Sequence, residues 1–398
     1  MWTDLLNLFK GFFESTGIAG FFASGGWKNI IMILIACLLL YLAIFRNAEP
    51  YLLIPIAFGM LLVNIPGAEI FKTETVITGY DTLGHAITET KYSGLLGVLY
   101  MGVKYEIYPC LIFLGIGATT DFGPLISNPK TMLLGAAAQL GIFITFVGAI
   151  ALGFDPNVAA SIGIIGGADG PTAIYVTNHL APEKLSIIAI VAYSYMALVP
   201  FIQPPIIRLL TTKKERLIKM EENKPVSQTK RILFPIIVTV VVALIVPAAT
   251  PLIGCLMLGN LVKESKVVPN LVEACGKTIL YATTIILGLC VGATATASTF
   301  LSFETIKIFI LGVIAFSTAT AGGVLIGKLM CKLSHGKINP MIGAAGVSAV
   351  PMAARVVHKE GLKEDPTNYL LMHAMGPNVA GVIGSAVAAG LLLLLFGA

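Results

Sequence analysis

Apolar runs of roughly 17 to 25 residues recur from Ile30 to Phe396, each long enough as a helix to cross a hydrocarbon core about 30 Å thick. They fall near 29–45, 51–66, 94–118, 131–153, 158–176, 185–209, 232–262, 277–301, 306–333, 338–357 and 369–397. Backbone in lipid must satisfy its polar groups internally, so the pattern predicts an all-α polytopic membrane protein of about 9–11 membrane segments. Of 398 residues, 56% are hydrophobic and 12% charged, and a water-soluble core cannot hide that much apolar surface.

Charge then sets the topology. The net charge is +5, and the basic residues concentrate in one stretch, TTKKERLIKMEENKPVSQTKR at 211–231. No face is left to track phosphates, so nucleic acid is not an expected partner. The lysine and arginine excess assigns that loop to the cytoplasm. Residues 1–28 carry Trp2, Leu5, Leu6, Phe9, Phe12 and Phe13 and read as a helix lying at the membrane interface, without a cleavable signal peptide. Cys37, Cys110, Cys255, Cys275, Cys290 and Cys331 are scattered, with no C-x-x-C pair, and read as small apolar residues.

The loop divides matching landmarks. Before it stand Gly115-Ile-Gly-Ala-Thr119, Asn128-Pro129 with Gly135-Ala-Ala, and Gly166-Gly-Ala-Asp169-Gly170-Pro171-Thr172. After it stand Gly288-x-x-x-Gly292-Ala-Thr294, Asn339-Pro340 with Gly343-Ala-Ala, and Gly376-Pro377-Asn378. The chain is therefore divided into 1–50 (interfacial helix and first span), 51–210 (first transport repeat), 211–231 (cytoplasmic basic loop) and 232–398 (second transport repeat). Two inverted-topology repeats with Gly/Pro-broken helices are the pattern of alternating-access transporters, whose coupling ions bind where broken segments meet. Proline removes a donor, and the carbonyls it frees become ligands for a cation.

Asp169 is the most informative side chain, a carboxylate in an apolar stretch at a cost of roughly 2.5–3.5 kcal/mol on insertion scales. It reads as part of a loop reaching water, as a residue that only caps a helix, or as a site that holds Na⁺ when ionised and a proton when neutral. Neutral oxygens suited to a hard cation are offered by Asn378, Ser348, Asn339, Thr172 and Ser385. In an apolar helix, a serine or threonine hydroxyl also commonly bonds its own i−4 carbonyl. Asn378 follows Gly-Pro as Thr172 does, so a pseudo-twofold would bring the two tips face to face. Arg355 is either a snorkelling anchor or an anion site, and Tyr195 either a packing ring or a functional phenol. Lys104, Glu106, Asp121 and His373 rank lower, as segment-end charges. The near P-loop Gly322–Leu329 lacks the Ser/Thr that would hold Mg²⁺.

The runs GIGATTDFGPLISNPK, GIIGGADGPTAIYV, AYSYMALVPFIQPPIIRLLTTKKER, NPMIGAAGVSAVPMAARV and GPNVAGVIGS resemble the membrane β-subunit of the sodium-pumping biotin-dependent decarboxylases over nearly the whole chain. The resemblance implies a subunit that decarboxylates carboxybiotin, exports Na⁺ and takes up a proton. It implies a carboxyltransferase α-subunit, a biotin carrier and a small γ/δ membrane subunit as partners, a homo-oligomer within the complex, and a bacterial cytoplasmic (inner) membrane. Carried over by motif, the sodium-site acid falls on Asp169 and the functional tyrosine on Tyr195. The Asn, Gly, Ser and Arg series falls on Asn339, Gly343, Ser348 and Arg355, and the Asn after Gly-Pro on Asn378. The alternative is an autonomous Na⁺-coupled symporter for a small organic anion, with Arg355 pairing the anion.

Overall fold

The computed structural model describes residues 11–12, 16–23, 25–46, 49–80, 86–222 and 224–397. Half of the expected interfacial segment at 1–28, including Trp2, Leu5, Leu6, Phe9 and Phe13, lies outside them. In chain order the principal helices are α1 (Gly26–Phe45), α2 (Pro50–Val63), α3 (Leu95–Lys104), α4 (Ile107–Thr119), α5 (Pro129–Ala151) and α6 (Pro156–Gly163). They continue with α7 (Gly170–Leu180), α8 (Leu185–Leu210), α9 (Gln228–Ile245) and α10 (Thr250–Ser265). The last are α11 (Pro269–Ala293), α12 (Phe303–Leu333), α13 (Met352–Glu364) and α14 (Leu371–Phe396).

The all-helical expectation needs one correction. β1 (Lys72–Tyr80) and β2 (Ala86–Ser93) pair antiparallel, Lys72 opposite Ser93, with a bulge at Ile77/Gly79. Their sequences, KTETVITGY and AITETKYS, are rich in β-branched residues and poor in continuous apolar surface, which favours a hairpin over a span.

Among the described residues six helices are long and apolar enough to cross a membrane, or up to eight if two bent helix pairs each count as one span. That is fewer than the hydropathy windows suggested, for three local reasons. The 51–66 window holds a helix of only 14 residues. The 232–262 window divides at Pro247 into α9 and α10. The 158–176 and 338–357 windows are interrupted by 3₁₀ turns at Ile164–Gly167 and Pro340–Gly346.

The contacts define two compact units: residues 1–108 with 282–305, and residues 109–281 with 306–398. In the first, α1 packs on α2, and the hairpin leads into α3. Asn64 there donates to the Met60 and Ala295 carbonyls at 2.8 and 2.9 Å. In the second, α14 is the hub. The most apolar window of α14 is 67% buried, against 6% for α9. It packs against α5, α7, α13 and both 3₁₀ turns. Its run of alanine and glycine lets backbones approach closely, the usual device of helix packing in lipid.

Candidate functional site

The site is built on the interruption between α6 and α7. Gly166-Gly167 ends a 3₁₀ turn, Ala168 turns left-handed at φ 55°, and Asp169 is extended as the N-cap of α7. Gly170 and Pro171 open the helix, where a missing N–H is harmless. A Cβ on Gly170 would stand 2.0 Å from the Tyr193 ring, so glycine alone fits there. Asp169 is a cap, as one of the plainer readings held, since one oxygen accepts from the Thr172 N–H at 3.2 Å. It is also 6% exposed, and its other oxygen accepts from the Ser385 hydroxyl of α14 at 2.8 Å. A carboxylate so placed has traded bulk water for two protein donors.

A second interruption meets it. After the 3₁₀ turn Pro340–Gly346 the chain runs extended from Val347 before α13, and the Ser348 N–H donates to the Gly167 carbonyl at 3.0 Å. A cavity of about 400 Å³ opens here, lined by Asp169, Gly170, Ser348, Thr119 and Asp121 among others. Its lining Ser348 Oγ is a buried oxygen without a hydrogen-bond donor among the described residues, and so are Asn378 Oδ1, whose amide braces the same segment, and Gln139 Oε1, which lies beside Gly167. Each such orphan costs about 1–3 kcal/mol, an outlay that a hard cation would offset.

The other predicted residues sort clearly. Thr172 is fully buried one turn into α7 and holds Asp169 through its backbone. Asn378 does not sit at a broken tip, because α14 runs unbroken through Gly376-Pro377. Its amide instead donates to the Ala345 and Val347 carbonyls at 3.0 and 2.7 Å, bracing the extended segment that presents Ser348. Gly343 is a packing residue here: a Cβ on it would lie 2.0 Å from the Gly323 carbonyl oxygen of α12. The Tyr195 hydroxyl donates to the Phe309 carbonyl of α12, and its ring covers Gly312.

Two predicted residues lie elsewhere. Asn339 donates to the Arg216 and Ile218 carbonyls at 3.1 and 2.9 Å, tying the basic loop to the second 3₁₀ turn. Arg355 is exposed on α13, near Pro351 of the cavity wall. Sequence reasoning missed Gln139, whose amide donates to the Gly135 and Gly381 carbonyls at 3.1 and 3.3 Å and whose oxygen lies beside Gly167. A glutamine in the middle of the 131–153 run was the available signal. It also underrated Asp121, a cavity-lining acid.

One buried carboxylate among neutral oxygens, where two interrupted segments of a helical membrane protein meet, is an arrangement suited to holding a cation. Residues 28–396 match the family described as the Na⁺-transporting oxaloacetate decarboxylase beta subunit, and the chain belongs to it. It is 55% identical over 400 residues to the methylmalonyl-CoA decarboxylase subunit beta of Propionigenium modestum, covering 99% of this chain and 100% of the relative. It is 52% identical to the glutaconyl-CoA decarboxylase subunit beta of Acidaminococcus fermentans, over 94% and 95% of the two chains. To the oxaloacetate decarboxylase beta chain of Klebsiella pneumoniae it is 50% identical, over 92% and 95%. Membership favours a membrane subunit of a sodium-translocating decarboxylase over the autonomous symporter.

Proposed function

We propose that this chain exports Na⁺ through Asp169 while decarboxylating carboxybiotin delivered by a partner. It would sit in a bacterial cytoplasmic membrane with a carboxyltransferase α-subunit, a biotin carrier and a small γ/δ subunit, as a homo-oligomer. The observation that carries this is the burial of Asp169 against Ser385 in a cavity shared with Ser348. In the cytoplasm-facing state Na⁺ takes the ionised carboxylate together with the Ser348 hydroxyl, and Asn378 and Thr172 hold the two backbone interruptions in place. Movement of one inverted repeat against the other then exposes the site outward, Na⁺ leaves and a proton replaces it.

The chemistry balances on that proton. Breaking the N–C bond of carboxybiotin releases CO₂ and leaves a biotin nitrogen that must be protonated, and Asp169 supplies the hydrogen ion as the site returns inward. Arg355, exposed at the start of α13, is suited to the carboxylate of the incoming substrate. Tyr195 positions α8 on α12, with its neighbour Met196 on the cavity wall. A proton carried inward for each Na⁺ carried outward leaves the exchange electrically neutral, so what bond breakage must supply at every turn is the work of moving Na⁺ against its concentration gradient. In proteoliposomes of the assembled complex, Asp169→Asn should abolish both sodium uptake and Na⁺-stimulated decarboxylation; sodium-coupled turnover in that variant would remove Asp169 from the mechanism.

A further inference from the structure

We propose that Asp121 is the entry ligand through which sodium reaches Asp169, and that Arg231 gates it by competing for the same carboxylate. This rests on the sodium-carrier reading of Asp169 above. Both acids line one cavity of about 400 Å³, as does Ser348, whose buried hydroxyl is unpartnered among the described residues. The Asp121 side chain is 43% exposed, whereas Asp169 is 6% exposed, so the cavity runs from a wet carboxylate to a buried one.

The rim is built as a balanced set of charges. One Asp121 oxygen accepts from the Gly123 N–H at 2.8 Å and from Arg231 Nη1 at 2.9 Å. The same Nη1 lies 3.4 Å from Oε1 of Glu264, whose side chain is 7% exposed. A single guanidinium thus has two carboxylate partners. Lys263 Nζ meanwhile donates to the Thr120 and Thr119 carbonyls at 2.8 and 3.3 Å, which occupies the backbone oxygens of the rim. With Arg231 on Asp121 the mouth is neutral. A shift of the guanidinium toward Glu264 leaves Asp121 as the oxygen donor available to an arriving cation. Arg231 closes the basic loop that the positive-inside rule assigns to the cytoplasm, the side from which exported sodium must enter.

The pair predicts shifts of opposite sign. In the assembled complex, the decarboxylation rate is measured against Na⁺ concentration for wild type, Asp121→Asn, Asp121→Glu, Arg231→Gln and Asp169→Asn. Asp121→Asn should raise half-saturating Na⁺ about two- to fivefold, the range of one partly screened charge, and Asp121→Glu should recover most of it. Arg231→Gln should lower half-saturating Na⁺ about twofold by removing the competitor. Should Arg231→Gln not assemble, the contrast between Asp121→Asn and Asp121→Glu decides. Shifts in the same direction, or none, or no recovery with glutamate, would overturn the entry role and leave an ordinary structural ion pair. Loss of Na⁺ stimulation in Asp169→Asn with no shift at Asp121 sinks this proposal alone, whereas retained stimulation in Asp169→Asn sinks the carrier reading beneath it.

Discussion

At the scale of single residues, the account turns on what touches Asp169. Ser385 donates to it from α14 at 2.8 Å, and a hydrogen bond to a charged group contributes about 1.5–3 kcal/mol. Ser385→Ala should therefore raise half-saturating Na⁺ about tenfold or more, read from the sodium dependence of decarboxylation; an unchanged value would mean that Ser385 does not shape the ion site. The importance of Asp169 was legible because an acid between Gly167 and Gly170-Pro171 has no place in an ordinary span. The importance of Gln139 was not, because a neutral amide in an apolar run stands out only once its two carbonyl partners and its unpaired oxygen are seen.

At the scale of elements, glycine and proline marked where helices can break without saying which of them do. Gly163 to Pro171 does interrupt its segment, while Gly376-Pro377 stays inside a helix that is buried on most sides and held by its neighbours. The second interruption sits instead at Val347–Pro351, where the Val347 and Ala349 carbonyls accept from the Asn378 amide rather than from a helical partner. Asn378→Ala should loosen that segment at a cost of about 1–3 kcal/mol in the unfolding of the purified subunit. Gly343 offers a sharper discrimination between ligand and packing roles. Gly343→Ala drives a Cβ against the backbone of α12, so it should lower thermal stability by about 3 kcal/mol or more and reduce yield. A stable Gly343→Ala protein with altered sodium affinity would restore the ligand reading.

At the scale of the whole chain, the basic loop is more than a topology signal. Asn339 and Asn368 both donate to the Arg216 and Ile218 carbonyls, Arg216 pairs with Glu364 at 2.7 Å, and Lys219 pairs with Asp365 at 3.0 Å. The loop is thereby clasped to the second interruption and to α13, which the sequence, showing only charge, did not reveal. The Thr367 hydroxyl and N–H, with Lys219, hold the Asp365 carboxyl at about 2, below its usual 3.8. A depressed carboxyl contributes stability above its ordinary value and loses it as pH falls toward the depressed one. Hydrogen exchange within 211–231, corrected for its intrinsic pH dependence, should therefore show no added opening from pH 8 to 5 and opening only below about pH 4. Opening already at pH 6 would contradict the clasp. Hydropathy, the Gly-Asp-Gly-Pro motif and the family runs yielded membrane architecture and the central acid from sequence; the hairpin at 72–93 and the partner of each interruption required the fold.

The central claim is that Na⁺ and H⁺ compete for one carboxylate, and the most direct test is the half-saturating Na⁺ concentration of the assembled complex measured across pH. Competition requires that it rise about tenfold per pH unit once the carboxyl begins to protonate, and that this dependence vanish with the sodium response in Asp169→Asn. A half-saturating concentration that stays constant from pH 8 to 5 while turnover remains sodium-dependent would contradict the account.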